Sequence, residues 1–142
     1  MTIKAGSSVI KLSTKGNDEV VDLTPDVDRI VGEFGLREGV VTVFVDGSTA
    51  AVTTIEYEPG LVADVQGFLR NLAPAGDWHH NETWGDGNGH SHIKAGLIGP
   101  SLTIPVIAGK MTLGTWQQIV YIDSDIKARS RRVIVQLTGE TE

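Results

Sequence analysis

The sequence predicts an α+β fold: layers of mixed or antiparallel β-sheet carrying two main helices, in the order ββαββα, loop, ββββ, within one domain over residues 1–142. Three observations predict it. Strand-like runs cluster at either side of the middle of the chain instead of alternating with helices, which separates α+β from α/β. Helical periodicity is confined to two segments. From Ser101 to Gly139, β-branched runs follow one another with only turn residues between them.

Taken in order, residues 8–13 (SVIKLS) and 19–23 (EVVDL) are short and β-branched, and Lys15, Gly16, Asn17 and Asp18 between them read as the turn of a β-hairpin. Thr24 offers an N-cap with Pro25 at the first helical position, where a missing N–H costs nothing. Val27, Ile30, Val31 and Phe34 recur at i, i+3, i+4 and i+7, and Gly35 is the natural residue to end the helix, which is placed over 25–34. The run VVTVFVD (40–46) is too apolar to have a solvent face and reads as a central strand covered on both sides. Gly47, Ser48 and Thr49 interrupt it before AAVTTIEY (50–57) resumes as its partner strand. Pro59 opens a second helix with Leu61, Val65, Phe68, Leu69 and Leu72 on one face, and Pro74 stops it. A polar loop follows, after which HIKAGLIG can form a turn or two of helix before Pro100. SLTIPVIAG (101–109), KMTLG (110–114), WQQIVYID (116–123) and RRVIVQLTG (131–139) complete the strands, with turns at Gly109-Lys110 and Ser124-Asp125. Helices on one side of a mixed sheet are the simplest way to bury these faces.

A chain of 142 residues is long enough to bury a real core, and 40% hydrophobic with 21% charged residues is ordinary for a globular protein. No apolar run approaches the ~20 residues that cross a bilayer, and the N-terminal stretch lacks the apolar centre of a signal peptide, so a cytoplasmic protein without membrane contact is expected. The net charge of −6 argues against nucleic acid as a partner. With no cysteine, only His, Asp and Glu remain as strong metal ligands.

The stretch DWHHNETWGDGNGHSHIKAGL (77–97) holds all 4 histidines of the chain and two of its 3 tryptophans. So polar and Gly-rich a segment cannot form a core, yet it spends aromatics and imidazoles where a linker would carry Ser, Lys and Glu. That is the composition of a site-forming loop. His80, His90 and His92 can ligate a metal, the last two side by side if the backbone is extended and His80 returning over Gly85, Gly87 and Gly89. Equally, they can be solvated histidines paired with Glu82 and Asp86. Glu56, Asp86 and Asn88 can supply a base, a ligand or an orienting partner, or be an exposed strand position and plain turn chemistry. The Gly-rich run can form a nest for an anion, though it is neither a phosphate-binding P-loop nor a dinucleotide fingerprint. Arg132 can clamp a phosphate bidentately, or it can belong with Arg129 and Arg131 to a charged lead-in that protects a sheet edge.

Four segments carry a resemblance: GSTAAVTTIEYEPGL (47–61), HHNETWGDGNGHSHIKAGLIGPSLTIPV (79–106), GTWQQIVYID (114–123) and RRVIVQLTGE (131–140). With the N-terminal KLSTKG they cover almost the whole chain and resemble the YjbQ-like family, often labelled secondary thiamine-phosphate synthase. His-x-Lys-Ala and Gly-Thr-Trp-Gln are the distinctive parts. The resemblance implies a subunit of a homotrimer with a pocket near the subunit boundary. It also implies a divalent metal ion (zinc or magnesium) on histidines matching His80 and His92, together with Glu56, Asp86 and Asn88. Many bacterial members have a histidine where this chain has Gly47, which makes His90 the candidate substitute ligand and is similar to the archaeal branch. The implied activity is a transferase acting on a small phosphorylated substrate, joining a thiazole phosphate to an aminopyrimidine diphosphate. The metal and Arg132 would stabilise the leaving pyrophosphate, while Glu56 orients the site or moves a proton. The alternative is a non-catalytic, trimeric metal- or metabolite-binding protein.

Overall fold

In a computed structural model describing residues 2–142, the chain builds two sheets. The larger holds β1 (Thr2–Thr14), β8 (Arg129–Thr141), β3 (Leu36–Val45), β5 (Ser101–Ile107) and β6 (Lys110–Met111), in that spatial order. The smaller holds β2 (Glu19–Asp22), β7 (Gln118–Asp123) and β4 (Ala50–Ile55). The α+β class is as expected, but every strand pairing is antiparallel, so no mixed sheet forms.

Helix α1 (Thr24–Phe34) lies where its stripe places it, and Gly35 ends it at φ 76°, a left-handed conformation that suits glycine. Its start differs by one residue. The Thr24 hydroxyl does not cap the helix but accepts the Ile119 N–H at 2.8 Å, pinning the helix to β7. Val27, Ile30 and Val31 are buried against both sheets together with Val41, Val43, Ile119, Tyr121, Val133 and Val135. Each such aliphatic side chain contributes roughly 1.5–3 kcal/mol on burial. Helix α2 (Pro59–Leu72) is capped by Glu58, whose carboxylate accepts the N–H groups of Gly60 at 2.8 Å and Leu61 at 2.7 Å. It covers the other face of the smaller sheet, where Leu69, Val62, Val65 and Ile98 pack on Val20, Val120 and Ile122. The helices therefore serve two cores instead of one side of one sheet.

This layering reverses the expectation for the most apolar strand. The strand covered on both sides is β7, whose Ile119, Val120, Tyr121 and Ile122 are all buried. In β3 Leu36, Val41, Val43 and Val45 are buried in the core, while Val40 and Phe44 are each 39% exposed on the outer face of the larger sheet. Val9 and Ile134 continue that apolar row across β1 and β8, in register with Phe44.

Three pairs of consecutive strands that read as neighbours are in fact divided between the sheets: β1 and β2, β3 and β4, β7 and β8. The first pair is no hairpin because Gly16, Asn17 and Asp18 take φ of 79°, 56° and 67° in succession and turn the chain toward the smaller sheet. The N–H groups of Asn17 and Asp18 then bond to the carbonyls of Asp125 (2.6 Å) and Asp123 (2.7 Å). All three crossings lie at one end of the sandwich. Finally, the segment read as a loop contains helix α3 (His79–Trp84) and the first residues of α4 (Gly89–Ile98), the rest of which is the short helix expected of HIKAGLIG.

Candidate functional site

The crossing end of the sandwich is held by a buried polar cluster. Asp123 accepts from the Thr14 hydroxyl and from Arg131 Nε (2.8 Å) and Nη2 (3.0 Å). Asp125 accepts from the Thr49 hydroxyl at 3.0 Å and from Arg129 Nε at 2.9 Å, and the Thr49 hydroxyl accepts from Arg131 Nη2 at 2.8 Å. Buried carboxylates persist only when paired and hydrogen-bonded, and these tie residues from all three crossings together. Burial works against the ionised Asp125, but the Ile126 N–H, the Thr49 hydroxyl and the Arg129 guanidinium outweigh it and hold the carboxyl below its ordinary 3.8.

Beside this cluster, α4 brings a second buried set. Helical spacing of four residues puts His90 and Lys94 on one side, facing the β1–β2 crossing. The Lys94 ammonium donates to Asp18 Oδ2 at 2.8 Å, with both side chains 3% exposed. Asp18 Oδ1 and His90 Nδ1, both buried, have no hydrogen-bond partner. Burial first, then the Lys94 charge, hold the His90 imidazole below its ordinary 6.5 and keep it neutral. These residues line a cleft of about 280 Å³ together with Asn17, Arg70 and Ser124. An unpaired buried polar atom costs about 1–3 kcal/mol, and here two such atoms belong to residues that line one cleft.

The residues singled out in the sequence are placed as follows. Because α4 begins at Gly89, His90 and His92 are on a helix and not on extended backbone, and positions two apart on a helix point to opposite sides. His92 meets His80 instead, with ring centroids 4.4 Å apart and planes at 45°. His80 Nδ1 lies 3.7 Å from Asp86 Oδ1. Asn88, oriented to satisfy its neighbours, donates its amide N–H to Asp86 Oδ1 at 2.9 Å. So His80, His92, Asp86 and Asn88 gather around the α3–α4 turn, and His90 does not join them. Among the described residues no group of three or more His, Asp or Glu side chains is placed to hold a metal ion. The donor set does not fit a resident metal within one subunit.

Glu56 is exposed just past β4, and its carboxylate has no bond to the histidines. Arg132 is on the outer side of β8, where its Nε donates to Asp46 Oδ2 at 2.6 Å. Packing of the α3–α4 turn explains one glycine of the run: a Cβ on Gly89 would lie 2.7 Å from Trp78 Cβ. Asn81 locks the same contact by donating to the Gly76 carbonyl at 2.7 Å and accepting the Gly89 N–H at 2.9 Å.

Asp18 and Lys94 were missed as a pair. Two signals bear on them: a Gly-Asn-Asp run, the residue types that tolerate a left-handed backbone, and a lysine four residues after a histidine. Neither says that positions separated by 76 in sequence meet. Among the described residues no helix is long and apolar enough to cross a membrane.

The family model described as UPF0047 protein YjbQ-like matches residues 8–140. A UPF0047 protein of Archaeoglobus fulgidus is 38% identical over 127 residues, covering 89% of this chain and 97% of its own. YugU of Bacillus subtilis, also described as a UPF0047 protein, is 28% identical over 132 residues, covering 92% of this chain and 97% of its own. Among solved structures, a YbjQ-like protein of unknown function from Sulfolobus solfataricus superposes with a TM-score of 0.92 at 32% identity, covering 98% of this chain and 100% of its own. A hypothetical protein from Aeropyrum pernix gives 0.89 at 36% identity, covering 95% and 99%. These relatives are described by family alone or as having unknown function. That overturns the expected reading of a metal-dependent enzyme with thiamine-phosphate synthase activity and fits the unknown function in its alternative better.

Proposed function

The chain belongs to the YjbQ-like UPF0047 family, and from that premise we propose a non-catalytic protein that binds a small polar metabolite and works as a homotrimer. One observation carries the reading: the cleft of about 280 Å³ in which buried Asp18, Lys94 and His90 leave two polar atoms without partners. A ligand that satisfies them needs a hydroxyl or amine to donate to Asp18 Oδ1 and a polar atom opposite the neutral His90 Nδ1. Lys94 and Arg70 outnumber Asp18 at the cleft, so an acidic group on the same molecule is favoured. A small hydroxylated or amino acid-like anion meets all three demands. Lys94 is committed to Asp18 at 2.8 Å, which suits a fixed recognition charge and not a nucleophile. The trimer is supported by the apolar row Val9, Ile134 and Phe44 on the outer face of the larger sheet, which a neighbouring subunit would cover.

The test is retention. The purified protein is equilibrated with a cell metabolite extract, separated from it, denatured, and the released compounds are identified by mass spectrometry. A near-stoichiometric anion carrying a hydroxyl or amine, retained by the wild type and absent from Lys94→Met, is the expected result. Equal profiles from the wild type and Lys94→Met would refute the proposal.

A further inference from the structure

A second cleft, of about 600 Å³, opens at the same crossing end and is lined by Lys11, Ser13, Gly47, Ser130, Arg131 and Arg132 among others. We propose that it is a binding site for a tetrahedral oxyanion, such as a phosphate group, anchored on Arg131. This stands apart from the metabolite cleft and does not depend on it.

The donor count of Arg131 is the first reason. A guanidinium carries five N–H donors. Nε and both hydrogens of Nη2 are spent on Asp123 and Thr49, at 2.8, 3.0 and 2.8 Å. Nη1 donates to no protein group among the described residues. The side chain is only 13% exposed, so it is fixed from behind with one edge left free. A fork held in place in this way loses little freedom when it binds an anion.

Position 47 is the second reason. A Cβ built on Gly47 would lie 3.5 Å from Arg131 Nη1, an ordinary contact, so a larger side chain at this position would stand over the free edge. Further cations and hydroxyls complete the wall. Lys11 and Arg132 are cross-strand partners, as are Ser13 and Ser130. Arg132 uses only Nε on Asp46, leaving its terminal nitrogens free, and Lys11 has no ion-pair partner among the described residues. Within the lining three cations, Lys11, Arg131 and Arg132, stand beside one carboxylate, Asp46, while Asp123 and Asp125 hold Arg131 from behind at 2.8 and 3.6 Å.

Inorganic phosphate, titrated into ¹⁵N-labelled protein and followed by NMR, tests the site, with glycerol phosphate as a second arm. Saturable shifts of the Arg131 Nε–H and of the Ser13, Gly47 and Ser130 amides are expected. Tighter binding of inorganic phosphate identifies a free oxyanion as the ligand, and tighter binding of glycerol phosphate identifies a phosphorylated compound. Gly47→Leu, at an exposed position whose φ is not left-handed, fills the approach without removing charge and should abolish saturation. Lys11→Gln should weaken binding about threefold. No saturable shift in the wild type, or wild-type affinity in Gly47→Leu with its fold confirmed by circular dichroism, overturns the proposal.

Discussion

Replacing Lys94 by Met keeps the length of the side chain and removes its charge, leaving the Asp18 carboxylate buried without its cation. The two groups are 2.8 Å apart and each 3% exposed. At an effective dielectric of about 20 their attraction amounts to roughly 6 kcal/mol. Taking both charges out of water costs several kcal/mol per ion, so the pair itself adds little net stability. Breaking it is another matter, because one charge keeps its desolvation cost and loses its compensation. Lys94→Met should therefore destabilise the fold by about 3–5 kcal/mol. For a domain of this size that is a fall in melting temperature of about 10 °C or more. The double variant Asp18→Asn/Lys94→Met removes the stranded charge and should recover most of the loss. Urea unfolding of the wild type, both single variants and the double variant gives the coupling directly. A loss below about 1 kcal/mol in Lys94→Met would refute the argument, since it would mean that water reaches Asp18.

Other perturbations test separate parts of the account. Phe44→Glu places a charge in the middle of the apolar outer row and should convert a trimer into folded monomers of 15.2 kDa by light scattering, whereas an unchanged mass would remove that face from the assembly. Asp125 is held below its ordinary 3.8, so the unfolded chain takes up the proton first as the pH falls. Its stabilising contribution is full above that value and is lost progressively below it. Asp125→Asn should accordingly show a flatter loss of stability in acid, and a slope equal to the wild type's would contradict the assignment.

How much of this was legible in the sequence depends on the range of the signal. Helix α1 could be placed because its stripe and its terminal glycine are local. Helix α4 was placed only in part: HIKAGLIG read as a turn or two of helix, but the start at Gly89 and His90 was missed, because that end is glycine-rich and buried and shows no polar face to give it away. That error carried over to the site, since extended backbone would have put His90 beside His92 and the helix parts them. The strand segments were visible, and the turn at Gly109-Lys110 does join β5 to β6, but the partners of the other strands were not legible. Alternating patterns cannot tell a hairpin from a crossing between sheets, and the left-handed Asn17 and Asp18 decided the first case. The apolar run of β3 was read as covered on both faces, but its outer face is exposed, because an apolar run alone does not say which sheet carries a second layer. The Asp18–Lys94 pair depends on the tertiary fold and had no local signature at all.

The central claim is that a small metabolite satisfies the orphaned atoms of the cleft. Long-range ¹H–¹⁵N NMR of histidine-labelled protein reads the His90 ring nitrogens directly, before and after addition of the compound recovered in the retention test, or of the whole extract. The account predicts that His90 Nδ1 moves on addition while exposed His79 stays in place, and that Lys94→Met abolishes the change. A His90 signal unmoved by every metabolite fraction would contradict it.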